Sequence, residues 1–279
     1  MLRVTTPTQL PLRLSDVAGE AALLGGGGAA ILLQLAHPAV ARGVARHSDF
    51  VERPLDRLFG TLDYVYTVAF GDEQMVASVV RRVNRAHGPV HDKHSEHDKR
   101  SDAAYNAVDP ELQLWVAATL YYAAMQVQDR LLGSLDEASA EAVYLDYAAL
   151  GARLQMPAEL WPADRDAFES YWEGMLAQLE PSHDSRTVVQ ALLHPRTVPF
   201  AARAAMPLIR LVSTGLLPPA VRALHGLHWD ARRQLRFDRV FRVTRFVYPR
   251  LPRTVRVWPR ERSLARVRRT MAEPRGVRH

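Results

Sequence analysis

The segment DPELQLWVAATLYYAAMQVQDRLLG, residues 109–133, decides the fold class of this chain. Asp109 is a favourable N-cap, Pro110 suits the first helical position, and Glu111 places a negative charge beside the helix N-terminus. Gly133 suits the position just after a helix ends. The apolar-rich sequence between these signals has no strand-like alternation, so it predicts one long helix.

The rest of the chain continues this helical pattern in both directions. Ser134 and Glu137 have the spacing of a capping box, which predicts a helix from Ser134 to about residue 154. Further helices are predicted at 53–70, 72–87, 164–179, 199–216, 229–247 and 260–272. Prolines between these segments separate one predicted helix from the next, and no internal repeat or linker divides the chain. We therefore expect an all-α protein in which residues 1–279 form a single large multi-helix domain.

Composition excludes several classes of protein. Hydrophobic residues make up 48% of the chain and charged residues 24%, which excludes a disordered polypeptide. The chain has no cysteine. This excludes a disulfide scaffold, a thiolate zinc site, a cysteine-ligated iron–sulfur cluster, a thiolate-ligated haem and a cysteine nucleophile.

Positive charge is concentrated in a basic C-terminal segment, residues 220–279. It holds 17 arginines, no lysine and 4 acidic residues, so its net charge is +13 and the remainder of the chain carries −7. We expect it to pack as helices on the body with its arginines outward, so that deletion after Pro259 leaves cofactor content intact.

The basic C-terminal segment could also contact an anionic membrane surface or another polyanion. Its final stretch lacks interleaved aromatic residues, which argues against nucleic acid.

The most apolar stretch, AALLGGGGAAILLQLAHPAV at 21–40, contains Gln34, His37 and four glycines. This composition favours buried structure over a membrane span. The first twenty residues show no apolar core of signal-peptide length. We therefore expect a cytoplasmic protein, with peripheral contact to a membrane as a minor alternative.

One histidine lies on the apolar face of a predicted helix. In the helix 72–87 the positions Val76, Val80 and Val83 step by four and three, and the next step reaches His87. A core histidine needs a partner for each ring nitrogen, and these could be a backbone carbonyl and a metal. His91, His94 and His97 recur in the polar stretch HDKHSEHDKRSD, where we expect a solvated loop and at most weak metal binding.

Arg57 and Thr61 are four residues apart on the predicted helix 53–70, so they share one face. An arginine in an apolar setting needs an anion. Asp56 or Asp63 could supply it near the surface. A cofactor propionate or a substrate oxyanion could supply it in a pocket.

Several stretches of the chain resemble the bacterial and fungal oxygenases grouped with latex-clearing protein (rubber oxygenase) and the mycophenolic-acid side-chain oxygenase. They follow the family's order and cover nearly the whole chain. The matching stretches are LLQLAHPAVARGVARHSDF (32–50), RLFGT (57–61), FG (70–71), AHGPV (86–90), YNAVDPELQLWVAATL (105–120), LLHP (192–195), LLPPAVRALHGLHWD (216–230) and YPRLPRTVRVWP (248–259).

The resemblance implies an all-helical fold around a b-type haem. It implies that the histidine of AHGPV, His87, is the axial ligand of the haem iron, with His91 as the backup. Arg57 and Thr61 match the family's R-x-x-x-T signature and are expected close to the haem. Two positions depart from the pattern: Gly60 replaces a lysine of the rubber-cleaving members, and Ala117 replaces a histidine of many relatives. Both changes argue against rubber as the substrate.

The sequence therefore supports a haem-dependent oxygenase or oxidoreductase acting on an apolar small molecule with dioxygen. A neutral histidine ligand would leave the opposite face of the iron open for oxygen. The alternative is a non-catalytic helical module that binds a lipid or isoprenoid, with the basic segment as a membrane-surface anchor. A nucleic-acid-binding protein is the third hypothesis, and we expect no nucleic-acid partner.

Overall fold

A computed structural model describes residues 10–47, 54–88, 106–195 and 200–272, without the side chains of residues 47, 54–56 and 200–202. These residues are almost entirely helical, as predicted. The helices are α1 (Leu14–Val17), α2 (Gly27–Gln34), α3 (Pro38–His47), α4 (Pro54–Phe70), α5 (Glu73–His87), α6 (Pro110–Leu131), α7 (Glu137–Ala152), α8 (Arg165–Gln178), α9 (His183–Leu193), α10 (Phe200–Gly215), α11 (Pro219–Leu224), α12 (Ala231–Val247) and α13 (Arg253–Ala272). Short 3₁₀ helices lie at Ala21–Gly26, Ala158–Leu160 and Tyr248–Arg250.

Helix α6 is the centre of the fold. Its predicted start is confirmed, because the Asp109 side chain accepts a hydrogen bond from the backbone N–H of Glu111 at 2.9 Å. Gly133 follows the helix with a φ of 101°, a left-handed conformation that favours glycine. The helix packs against α2, α7, α12 and two of the 3₁₀ helices. Trp115, in its second turn, is fully buried.

An aromatic cluster fills the core between α6, α7 and α8. The ring of Tyr121 lies 4.9–6.2 Å from its aromatic neighbours, mostly in edge-to-face geometry. Those neighbours are Tyr144, Tyr147, Trp161 and Phe168. Such pairs contribute about 0.5–1.5 kcal/mol each beyond their burial, so this half of the domain is a rigid support for α6 and α7.

The glycine run 25–28 allows close helix approach. A Cβ at Gly26 would lie 2.8 Å from the carbonyl oxygen of Ala123 in α6, and a Cβ at Gly28 would overlap the Ser213 hydroxyl in α10. The apolar stretch at 21–40 is therefore packed inside the domain, with Leu33 fully buried. Among the described residues no single helix is long and apolar enough to cross a membrane; Ala21–Gln34 and Pro38–Arg46 meet that test only as a pair bent by 99°.

Several predicted helix boundaries were wrong. Helix α7 begins at Glu137 rather than Ser134, because Asp136 is the N-cap and accepts the N–H of Ser139 at 2.9 Å. Helix α13 begins at Arg253 and runs through Pro259, seven residues before the predicted start. Helices α1, α2, α3, α9 and α11 were not predicted. Each is short, and α9 and α11 lie beside prolines that were taken to separate the predicted helices.

Helix α13 belongs to the core more than expected. It packs along α4, and its Ser263, Leu264 and Val267 are buried. Most arginines of the basic segment face outward as predicted, but three on α13 turn toward the body. Arg256 pairs with Glu20 at 3.1 Å, Arg260 stacks over Phe70, and Arg266 pairs with buried Asp63 at 2.7 Å.

Candidate active site

A cavity of about 350 Å³ lies between six consecutive helices, α2 to α7. Its volume falls in the range of pockets that hold small molecules and cofactors. Most of its lining is aliphatic. The lining residues are Ile31, Gln34, Leu35, Val40, Val44, Arg57, Gly60, Thr61, Tyr64, Arg82, Val83, Ala86, His87, Ala107, Leu112, Gln113, Val116, Ala117, Leu120, Leu150, Gly151 and Leu154. All three predicted site residues, His87, Arg57 and Thr61, are among them.

His87 ends helix α5 and forms part of the cavity wall with Val83 and Ala86. Its Nδ1 atom is buried and has no hydrogen-bond partner among the described residues. Burial, and secondarily the positive charge of Arg57, lower the pKa of His87 to about 4. The ring is therefore neutral at physiological pH, which is the form that ligates metals. This unmet hydrogen-bonding capacity makes His87 the candidate ligand position of the cavity.

Helix α4 supplies the facing residues. Arg57 and Thr61 share one side of that helix, as their spacing predicted, and the hydroxyl of Thr61 donates a hydrogen bond to the Arg57 carbonyl at 3.0 Å. Both residues are exposed, because this part of the wall opens to solvent. The sequence left open whether the Arg57 guanidinium lies near the surface or in a pocket. The structure exposes it at the wall of the cavity.

Asp63 does not serve as a local anion for Arg57. It is 3% exposed and is held by Arg82 at 3.1 Å, Arg266 at 2.7 Å and the Ser263 hydroxyl at 2.5 Å. Arg82 itself lines the cavity. This cluster joins α4, α5 and α13, so the helices that carry Arg57 and His87 are fastened to each other through a buried carboxylate.

A second cavity of about 140 Å³ also borders Arg57 and Thr61. It shares six lining residues with the first cavity: Ile31, Gln34, Arg57, Thr61, Leu120 and Leu150. Its remaining wall is formed mainly by small and aliphatic side chains such as Ala30, Leu62 and Ala123. The shared residues place Arg57 and Thr61 between two apolar spaces.

The donor set suits one kind of metal centre. No group of three or more His, Asp or Glu side chains is close enough to hold a metal ion within the described ranges. A haem needs only one protein ligand to its iron and a cation for its propionates, and this cavity is lined by one histidine, His87, and by the guanidinium of Arg57. His91, His94 and His97 lie outside the described residues, so the backup ligand His91 stays a prediction.

Two other histidines have structural partners. The Nδ1 atom of His37 accepts the N–H of Ala39 at 3.3 Å at the start of α3. His225 is fully buried, and its Nε2 donates to the Leu32 carbonyl at 2.8 Å while its Nδ1 accepts from the Ser185 hydroxyl at 3.2 Å. These contacts fix one neutral tautomer of His225, since a carbonyl can only accept.

We expect His225 to make the fold acid-sensitive. Burial and the nearby Arg186 charge lower its pKa, while the Leu32 carbonyl partly opposes this. The unfolded chain takes up a proton below about pH 6.5 and the folded chain only at a lower pH, so stability falls as pH drops. One such group contributes at most about 1.4 kcal/mol per pH unit. Urea unfolding at about pH 7.5 and about pH 5.5 measures this effect. Between these pH values the free energy of unfolding should fall less for His225→Gln than for the parent. Equal losses would contradict this role.

Sequence reasoning missed the cavity walls that come from other helices. Gln34 ends α2, Gln113 lies in the first turn of α6, and the Tyr64 hydroxyl donates to the Leu150 carbonyl at 2.5 Å. Gln113 also donates to the Gln155 side chain at 2.6 Å, which anchors the chain after α7. Polar residues within apolar stretches were the available signal, but their convergence depends on helix packing.

Comparisons with known proteins agree with this arrangement. Residues 15–246 match the family described as ER-bound oxygenase mpaB/B'/Rubber oxygenase, catalytic domain. The chain belongs to this family. The match covers every helix that lines the two cavities and identifies the region as the catalytic domain of an oxygenase family.

Relatives within the family carry the same domain nearly end to end. An uncharacterized protein of Mycobacterium bovis and one of Mycobacterium tuberculosis are each 34% identical to this chain over 233 residues. The alignment covers 82% of this chain and 89% of each relative. No solved structure matches the chain.

Proposed function

We propose that this protein is a haem b-dependent oxygenase or oxidoreductase that acts on an apolar small molecule with dioxygen. The observation that carries the proposal is the neutral His87 imidazole on the wall of a 350 Å³ apolar cavity, with a buried Nδ1 atom that lacks a partner among the described residues. Membership of an oxygenase family supports it.

The residues of the larger cavity fit a haem. His87 would be the axial ligand, and Arg57 would pair with a propionate. Aliphatic side chains such as Val83, Val116 and Leu120 would cover the macrocycle. When bound, the haem supplies the binding and activation of dioxygen. The protein supplies the ligand, the countercharge and an apolar surrounding.

The smaller cavity is the proposed place for the substrate. Its walls are largely aliphatic, so they exclude water and favour a hydrophobic compound. Arg57 and Thr61 border both cavities, and therefore they lie between the proposed cofactor and the proposed substrate. The Thr61 hydroxyl keeps acceptor capacity while it donates to the Arg57 carbonyl, so it can orient a polar group of the substrate.

Two cavity positions point to a substrate other than rubber. Gly60 and Ala117 both line the larger cavity. The rubber-cleaving members, by the resemblance, carry a lysine at the Gly60 position, and many relatives carry a histidine at the Ala117 position. The cavity of this chain is correspondingly less polar and has more room beside Thr61. An alkene or another electron-rich apolar compound suits this site.

The second candidate function is a non-catalytic module that binds a lipid or isoprenoid. The aliphatic lining of both cavities favours it, since such walls hold an apolar ligand without a cofactor. This alternative gives no role to the neutral His87 beside Arg57.

An absorption spectrum of the purified protein separates the two functions. Protein expressed with ample haem should show a Soret band that shifts on addition of dithionite, as expected for a ligated haem iron. Colourless protein from the same expression, which also binds no added haem, would overturn the haem proposal and favour the lipid-binding module.

Arg57 and Thr61 should differ in what they contribute. We expect Arg57→Ala to weaken haem retention by about 1.5 kcal/mol, close to tenfold, because a charge-assisted hydrogen bond is lost at an exposed position. Thr61→Ala should keep haem and lower turnover. Haem content after dialysis and oxygen consumption with an apolar substrate would measure both effects. If Arg57→Ala retains haem as tightly as the parent, Arg57 does not bind a propionate.

A further inference from the structure

The outward face of helix α12 alternates large apolar residues with arginines. Leu235, Arg239, Arg242 and Phe246 follow one another at intervals of four, three and four residues, so they form one stripe along the helix. Leu235 is 69% exposed and Phe246 is 64% exposed. The opposite side of α12 carries buried Phe237 and Phe241, so the outward apolar residues are not needed by the core.

Helix α13 repeats this pattern. Val255, Trp258, Arg262 and Arg269 share its outward side, and Trp258 is 56% exposed. The buried residues Ser263, Leu264 and Val267 lie on the inner side. The two helices are joined by the short 3₁₀ helix Tyr248–Arg250, so their exposed apolar residues lie close together along the chain.

The connection between the helices adds further apolar exposure. Val243, Val247 and Leu251 are exposed on either side of this turn. We name the combined surface the basic apolar face. Its members are Leu235, Arg239, Arg242, Val243, Phe246, Val247, Arg250, Leu251, Val255, Trp258, Arg262 and Arg269.

Arginines on this face cover the aromatic rings. The Arg250 guanidinium lies 3.7 Å from the ring centroid of Phe246, and that of Arg262 lies 5.1 Å from Trp258. Each pair puts a positive charge beside an exposed aromatic ring. Acidic residues are scarce here: α12 contains Asp238 and α13 contains Glu261, and Glu261 pairs with Arg260.

We propose that the basic apolar face binds an anionic lipid bilayer. Arginines attract the negative headgroups, while exposed Phe, Trp, Leu and Val side chains enter the boundary between headgroups and acyl chains. Aromatic residues are favoured at this depth because their rings tolerate a mixed polar and apolar surrounding. The proposal stands independently of the haem, since the face lies outside both cavities.

Other occupants fit the face less well. A second copy of the chain would bring this arginine-rich surface against an identical one, and the like charges would repel. Nucleic acid would satisfy the arginines but would leave Leu235, Val243, Val247 and Val255 against phosphates, where an aliphatic side chain gains nothing. A bilayer offers anionic headgroups to the arginines and an apolar interior to the aliphatic and aromatic side chains.

Vesicle sedimentation of the full chain tests the proposal. We expect binding to vesicles of phosphatidylcholine with about 30% phosphatidylserine and little binding to phosphatidylcholine alone. Raising NaCl from about 0.1 M to 0.5 M should weaken binding, because surface charge is screened. Arg239→Ala/Arg242→Ala should lower the partition coefficient about 10- to 30-fold, because each arginine contributes up to about fivefold. Phe246→Ser/Trp258→Ser should lower it at least about tenfold.

Matched variants elsewhere on the surface control for folding and net charge. Arg153→Ala/Arg165→Ala removes the same charge from the residue that follows α7 and from α8, and Leu145→Ser removes an exposed apolar side chain from α7. Both should bind like the parent. Equal loss in these controls would overturn the proposal, as would parent binding that ignores phosphatidylserine. A dimer or a DNA complex that depends on the same residues, without vesicle binding, would also overturn it.

Discussion

His87→Ala is expected to lose most of the haem while the far-UV helical signal stays unchanged. The Nδ1 atom of His87 is buried and makes no hydrogen bond within the described part of the chain, so truncation removes no internal contact of that atom. Among the described residues that line the larger cavity, His87 is the only histidine, and the variant removes this proposed ligand. Loss of a residue that merely supports a metal ligand already costs 10–100-fold, so haem per chain should fall roughly tenfold or more.

Two further measurements sharpen this expectation. Added imidazole should restore haem binding to His87→Ala, because the truncation opens space for it beside Val83 and Ala86. His194→Ala, at an exposed histidine that ends α9, should keep the parent spectrum. If His87→Ala keeps full haem with an unchanged spectrum and His91→Ala loses it, the axial ligand is His91.

The helical class and the helix faces that carry Arg57, Thr61 and His87 could be predicted from the sequence because each depends on local spacing. Asp109 and Gly133 mark the ends of α6 within the chain itself. His87 lies one helical step beyond Val83, and Thr61 lies one turn beyond Arg57. Periodicity alone left His87 as a core histidine or a ligand. The resemblance to the oxygenases favoured the ligand, and the cavity brings the three residues together.

The remaining walls could not be predicted, since they depend on packing between distant segments. Ile31, Gln113 and Leu150 come from α2, α6 and α7. Their approach requires the glycine run before α2 and the contact between the Tyr64 hydroxyl and the Leu150 carbonyl. The pairing of Arg266 with Asp63 could likewise not be predicted, because Asp63 lies 203 residues earlier in the chain.

Deletion of the residues after Pro259 is expected to abolish folding, which reverses the expectation from charge alone. The deletion removes buried Leu264 and Val267, and each contributes about 1.5–3 kcal/mol by burial. It also takes Arg266 and Ser263 away from Asp63, which then keeps Arg82 alone. Removing a partner of a buried charge costs about 3–5 kcal/mol. These losses approach the whole stability of a typical domain, about 5–15 kcal/mol.

Point variants separate this structural role from the outward charges of the same helix. Arg266→Ala should lower the free energy of unfolding by several kcal/mol, about 3 if Arg82 shields Asp63 in part. Arg268 lies on the exposed side of α13. The free energy of unfolding of Arg268→Ala should therefore stay within about 0.5 kcal/mol of that of the parent. Asp63→Asn/Arg266→Met should recover much of the loss, because it removes the uncompensated carboxylate. Urea denaturation at neutral pH measures all three variants. If the chain that ends at Pro259 unfolds at the same urea concentration as the parent, α13 is not part of the core, and the Asp63 cluster does not hold α13 against α4.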